Sequence, residues 1–145
     1  MRALIQRVIE AQVSVGPEVI GRIGPGMVVL LGVAKGDTPE QAVRLAERLL
    51  AYRIFEDEAG RMNRAIQEIK GAFLVVSQFT LVADTAKGSR PGFSAAAEPG
   101  LAESLYETFV ERLSASGLPV ETGRFGAQMV VSLHNDGPVT FLLEA

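Results

Sequence analysis

The sequence predicts an α+β (α/β) fold with largely antiparallel strands, on three observations. Between residues 3 and 15 the positions Ala3, Ile5, Ile9, Ala11, Val13 and Val15 share one parity, broken only by Arg7, which is the period of a long half-buried strand. Helical period appears in only two stretches, one after Thr38 and one after Pro99. The other apolar runs are short and clustered; they do not alternate one for one with helices, which disfavours an all-parallel sheet.

Taken in order, the first strand turns at "VGPEVIG", and "GMVVLLGV" follows as a short strand apolar on both parities, hence covered on both faces. In "DTPEQAVRLAERLLAYR", Thr38 is the expected N-cap, Pro39 the first helical residue and Gln41 the partner that completes a capping box. Ala42, Leu45, Ala46, Leu49 and Leu50 make its buried stripe. "RIFEDEAGRMN" reads as a short strand entering a turn at Asp57 to Gly60, and Gly71 opens the strand that contains "VVSQFTLV". A loop rich in Gly, Pro and Ser, "ADTAKGSRPGFS", leads to the second helix, with Leu101, Leu105, Phe109 and Leu113 at four-residue steps and a stop near Gly117. Three strands are expected to close the chain: "PVETGRF", "AQMVVSL" and "VTFLLE", with "NDGP" as the turn between the last two. No repeat, low-complexity tract or linker divides residues 1–145, so a single domain is expected.

Composition narrows the chemistry. The chain contains no cysteine and a single histidine, His134, which removes thiolate nucleophiles, disulfides and thiolate metal sites and leaves no paired-histidine spacing. No metal site is expected. The densest carboxylate group, "FEDEAG", reads as a turn, and His134 as a residue flanking one. "GPEVIGRIGPG" has glycines without the Lys-Ser/Thr ending of a phosphate loop, so hairpin turns explain it better. A net charge of −3 gives no long-range attraction for an extended polyanion. Lys87 and Arg90, in one glycine-rich loop, fit either a solvated surface or a local RNA contact. The N-terminus has no signal-peptide pattern and no apolar stretch approaches the roughly 18 residues of a membrane span, so a cytoplasmic location is expected.

Ser77, Gln78 and Thr80 stand out because they interrupt an apolar strand, where each buried polar group without a partner costs about 1–3 kcal/mol. Either the fold satisfies them or a ligand does. On a regular strand Gln78 and Thr80 share a face that Ser77 does not; a bend near Phe79 would let the hydroxyls of Ser77 and Thr80 converge. Without a base such groups transfer protons poorly, but they position a substrate and stabilise an oxyanion, which suits an activated ester. "NDGPVT" is the second irregular stretch, with Thr140 inside it; Gly137-Pro138 is a candidate cis peptide, although from the residue types alone a plain tight turn is the favoured reading.

"SQFTL" together with "NDGPVT" resembles the signature pair of the D-aminoacyl-tRNA deacylases, and the resemblance extends through "QRV", "LLGV", "RIFED", "GRMN", "KGSRPGF" and "RFGAQMVVSLHNDGPVT". It implies a homodimer with a barrel-like pair of mostly antiparallel sheets flanked by two helices. The implied reaction is hydrolysis of the ester between a D-amino acid and the 3′-terminal adenosine of tRNA, with glycyl-tRNA also cleaved and L-aminoacyl-tRNA rejected. Carried over by position, Ser77, Gln78 and Thr80 are the catalytic residues, with Phe79 and Met129 binding substrate. Gly137 and Pro138 reach into the pocket of the other subunit. No cofactor is implied. The chain departs from the family pattern at Gln128, often acidic there, and at Gly92, where "RPSF" is common. A non-catalytic module that binds charged tRNA ends and a hydrolase of another small acyl ester stand as the rival readings.

Overall fold

The computed structural model describes residues 1–145. Strand β1 (Arg2–Val15) is its axis: one edge pairs with β3 (Gly26–Gly32) through residues 2–8 and with β2 (Glu18–Ile23) through residues 11–15, and the other edge pairs with β8 (Val130–Glu144). All three pairings are antiparallel, as is that of the small hairpin β4 (Phe55–Glu56) with β5 (Met62–Arg64). Beyond β3 the sheet continues in parallel through β6 (Ala72–Ser77) and β7 (Val120–Thr122). Parallel neighbours need long crossovers. Helix α1 (Pro39–Ala51) lies in the connection from β3 to β6, and α2 (Pro99–Ser114) in that from β6 to β7.

The sheet curls towards a barrel. β2 folds back over β6 and β7 so closely that a Cβ on Gly21 would meet Thr122 O at 3.0 Å and Leu74 Cδ1 at 3.4 Å. Val8, Ala11, Val13, Ile23, Val28, Leu74 and Val76 fill the inside. The larger core lies between the other face of the sheet and the two helices, around Phe73, Leu45, Leu49, Phe109 and Leu113. No helix is long and apolar enough to cross a membrane.

Helix α1 starts as its sequence predicts: Thr38 Oγ1 accepts from Gln41 N, and Gln41 Oε1 accepts from Thr38 N. The turn after β4 is also as read. The Asp57 carboxylate accepts from Ala59 N, Arg61 N and Asn63 Nδ2, and these bonds, Asn63 foremost, hold its pKa below the ordinary aspartate value.

Four local expectations are corrected. Ile9 is 57% exposed and Val8 is buried, because the β1–β8 register shifts on both sides of Val8 and reverses the alternation there. Arg7, the apparent break in the pattern, is buried; its guanidinium donates to Ile54 O at 2.8 Å and Asp136 O at 3.0 Å. "AQMVVSL" and "VTFLLE" belong to one strand, β8, and "NDGP" is a distortion within it. Asn135 bridges that distortion, its Oδ1 accepting from Val139 N and its Nδ2 donating to Thr140 Oγ1. In α2, Leu101 is exposed, and Tyr106 joins Leu105, Phe109 and Leu113 on the buried side.

Candidate functional site

β6 ends at Ser77. The next residues wind into a short 3₁₀ turn, Phe79–Val82, so the apolar run is a strand followed by a bend, with its polar residues at the junction. Gln78 N donates to Leu31 O and Gln78 O accepts from Leu81 N, which pins the junction to β3 and to the turn. A Cβ on Gly32 would stand 3.0 Å from Leu81 Cβ and 3.1 Å from Gln78 O, so a glycine lets the bend sit close to β3.

A cleft of about 710 Å³ opens at this junction. Ser77, Gln78 and Phe79 form one wall; Ala96, Ala97, Pro99 and Ala102, at the start of α2, form another; Phe125 to Met129 close it. Nine of the fourteen lining residues are hydrophobic and none is charged, leaving the Ser77 hydroxyl and the Gln78 and Gln128 amides as the polar side chains. Met129 is held in place: its Sδ accepts from Arg124 N at 3.4 Å, and a Cβ on Gly123 would stand only 2.6 Å from that sulfur.

The structure therefore brings Ser77, Gln78, Phe79 and Met129 into one cleft. Thr80 stands just outside the lining set, joined to it by a hydrogen bond from Gln78 Nε2 to Thr80 Oγ1. Gly137 and Pro138 lie elsewhere, in the distortion of β8 that Arg7 holds, and do not line this chain's cleft. Their peptide bond is cis. Gly137 has φ +132°, and a Cβ there would come within 2.6 Å of Val139 Cγ2. His134 is remote from the cleft, on the outer side of β8, with Nδ1 3.3 Å from Glu10 Oε1. Those two residues line a separate polar hollow of about 480 Å³ with Gln12, Arg22 and Ser132. No three His, Cys, Asp or Glu side chains are grouped to hold a metal ion.

Sequence reasoning missed the α2 wall, Phe125, and Phe93, whose ring packs on Phe79 at 5.1 Å between centroids. These residues are small, apolar or aromatic and carry no chemical signature; proximity alone assigns them to the site. With no carboxylate, imidazole or thiol in its lining, the cleft is suited to holding an apolar group and donating hydrogen bonds to developing charge.

Comparison with known proteins gives a family model, described as D-Tyr-tRNA(Tyr) deacylase, that matches residues 4–144. The chain is 60% identical over 144 residues to the D-aminoacyl-tRNA deacylase of Cronobacter sakazakii, covering 99% of each chain. It is 59% identical over 145 residues to that of Symbiobacterium thermophilum, covering all of this chain and 96% of the other. Among solved structures it is similar to the c-Myc DNA Unwinding Element Binding Protein, with a TM-score of 0.94 and 40% identity over 100% of this chain and 99% of that one. A probable eukaryotic D-amino acid tRNA deacylase shares the fold at 18% identity, with a TM-score of 0.82 over 98% of this chain and 97% of that one.

Proposed function

The chain belongs to the D-Tyr-tRNA(Tyr) deacylase family, and we infer that it is a hydrolase cleaving the ester between a D-amino acid and the 3′-terminal adenosine of tRNA. The observation that carries this is the end-to-end family match combined with an uncharged cleft at the Ser77–Thr80 junction. An aminoacyl ester is already activated. It needs orientation and oxyanion stabilisation more than a powerful base.

In this reading Phe79 and Met129 form apolar walls of the substrate site, and Ser77 and Gln78 orient the ester. The first N–H groups of a helical turn have no carbonyl of their own turn to meet. The Thr80 N–H, at the second position of its turn, accordingly faces the oxyanion, while the ribose 2′-hydroxyl of the substrate helps activate water. A nucleophilic Thr80 is the weaker alternative, since its Oγ1 is bonded to an amide and no base lines the cleft. The protein acts as a homodimer in which Gly137 and Pro138 of one copy complete the pocket of the other. Their place outside their own cleft supports that arrangement, as do the exposed apolar residues Ile9, Val130 and Leu142 on β1 and β8. No cofactor takes part, and the activity belongs in the cytoplasm, where aminoacyl-tRNA is made and used.

Backbone from the second copy would exclude an L side chain sterically. Such a filter cannot exclude glycine, which has no side chain to clash. The test is deacylation of D-tyrosyl-, L-tyrosyl- and glycyl-tRNA by the purified protein. Loss of the D and glycyl esters with the L ester spared is expected. Sparing of all three would leave a binding module, and cleavage of the L ester as fast as the D ester would remove the chiral filter. One relative is named for binding a DNA element; a net charge of −3 gives this chain a poor field for a long duplex, so its nucleic-acid contact is read as local to the tRNA end.

A further inference from the structure

The loop between Asp84 and Gly92 has no part in the cleft lining, yet it leads directly into Phe93, which packs on the lining residue Phe79. Asp84 and Gly92 exchange two backbone hydrogen bonds, at 2.8 and 2.9 Å, and close residues 85–91 into a small exposed lobe. Lys87 and Arg90 are exposed on this lobe, and neither makes an ion pair.

Two further cations belong to segments that adjoin the cleft lining. Lys35 N donates to Ala95 O, next to the lining residue Ala96, and Arg124 precedes the lining residue Phe125. Neither forms a salt bridge. On the lobe itself the one carboxylate is Asp84, whose Oδ1 accepts from Ala86 N; beside the other lining segments stand Glu98, Glu103 and Glu121, while Asp37 is taken by the Met1 amino group at 2.9 Å. A chain of net charge −3 thus carries a small locally positive lobe, with Lys87 and Arg90 against Asp84, beside a cleft whose own lining is uncharged.

On the reading that the cleft takes the aminoacyl end of tRNA, we propose that Lys87 and Arg90 bind backbone phosphates of the single-stranded 3′ end as it enters. The contact is electrostatic and independent of base identity, and the flanking Lys35 and Arg124 add to the field. Each phosphate neutralised on a single strand adds about 0.7 to the slope of log affinity against log salt.

The test is binding of a fluorescent acceptor-stem minihelix ending in CCA, followed by anisotropy across a salt series. It compares wild type, Lys87→Ala/Arg90→Ala and Lys87→Arg/Arg90→Lys. The alanine pair is expected to weaken binding roughly tenfold near 0.1 M salt and to lower the slope by about 1.4, with the charge-conserving pair close to wild type. In turnover, the alanine pair should raise KM for D-tyrosyl-tRNA with kcat unchanged, and leave cleavage of a D-aminoacyl-adenosine ester, which lacks those phosphates, unaffected. An unchanged salt slope would overturn the proposal. So would an equal loss on the adenosine ester, which would mean that the loop shapes the cleft. The binding arm needs no catalysis, so a wild type that hydrolyses neither ester would overturn the deacylase reading while the slope still decides the loop.

Discussion

The Thr80 hydroxyl accepts from the Gln78 amide, and no base stands beside it in the cleft lining. If its backbone N–H is the working group, Thr80→Ala should retain measurable deacylation. Thr80→Pro removes that donor and should abolish activity. Thr80 N–H makes no backbone hydrogen bond that proline would remove, and circular dichroism checks that the variant folds. Complete loss in Thr80→Ala, with a trapped threonyl ester in the wild type, would instead make the hydroxyl a nucleophile. Arg7 shows the converse at the same scale: a charge that looks like an interruption of β1 is buried and fixes the carbonyls of Ile54 and Asp136.

Between elements, the parallel contact of β3 with β6 depends on Gly26. A Cβ there would fall 1.9 Å from Ala72 O and 2.7 Å from Ala72 N, backbone atoms that cannot move without parting the strands. Gly26→Ala should cost about 2 kcal/mol or more in urea denaturation, with Gly24→Ala, which meets nothing within 4 Å, as the near-neutral control. Helix α2 is tied to β6 by the Tyr106 hydroxyl, which donates to Val75 O at 2.8 Å. Burial pushes its pKa from 10.0 up to about 12. Between those values the unfolded chain loses the phenol proton and the folded chain keeps it, so stability is intact below pH 10 and falls as pH rises towards 12. Tyr106→Phe should be less stable at neutral pH by about 1 kcal/mol through the lost hydrogen bond. It should also lose less stability than wild type between pH 10 and 12, as read by chemical denaturation at each pH.

For the whole molecule, the proposed arrangement has no complete site within one chain. The proposed homodimer should sediment at twice the chain mass at assay concentration, and subunit mixing tests the sharing directly. Thr80→Pro should disable the cleft of its own chain. Gly137→Ala, strained at φ +132° and crowded against Val139, should disable the neighbour's on the proposed arrangement. Random mixing of the two variants should restore about a quarter of wild-type activity, because half of the dimers are mixed and each mixed dimer carries one intact site. No recovery on mixing would place Gly137 and Pro138 outside the partner's pocket.

What sequence alone determined is what depends on near neighbours in the chain. The Thr38 cap with Pro39 and Gln41, the Asp57 turn, both helices and most strands follow from local period and hydrogen-bonding chemistry. "SQFTL" could be singled out as the candidate site because polar residues in an apolar run are conspicuous without any fold. The tertiary structure decided whatever depends on partners distant in the chain. It ended β6 at Ser77, carried β8 through "NDGP" on a continuous partner strand, and reversed the alternation of β1 at Val8, where the β8 register shifts. It also assembled the cleft from β6, the start of α2 and the Phe125–Met129 segment. Alanines, prolines and phenylalanines at those places carry no local mark of a site; only the packing that brings them against Ser77 and Gln78 makes them one.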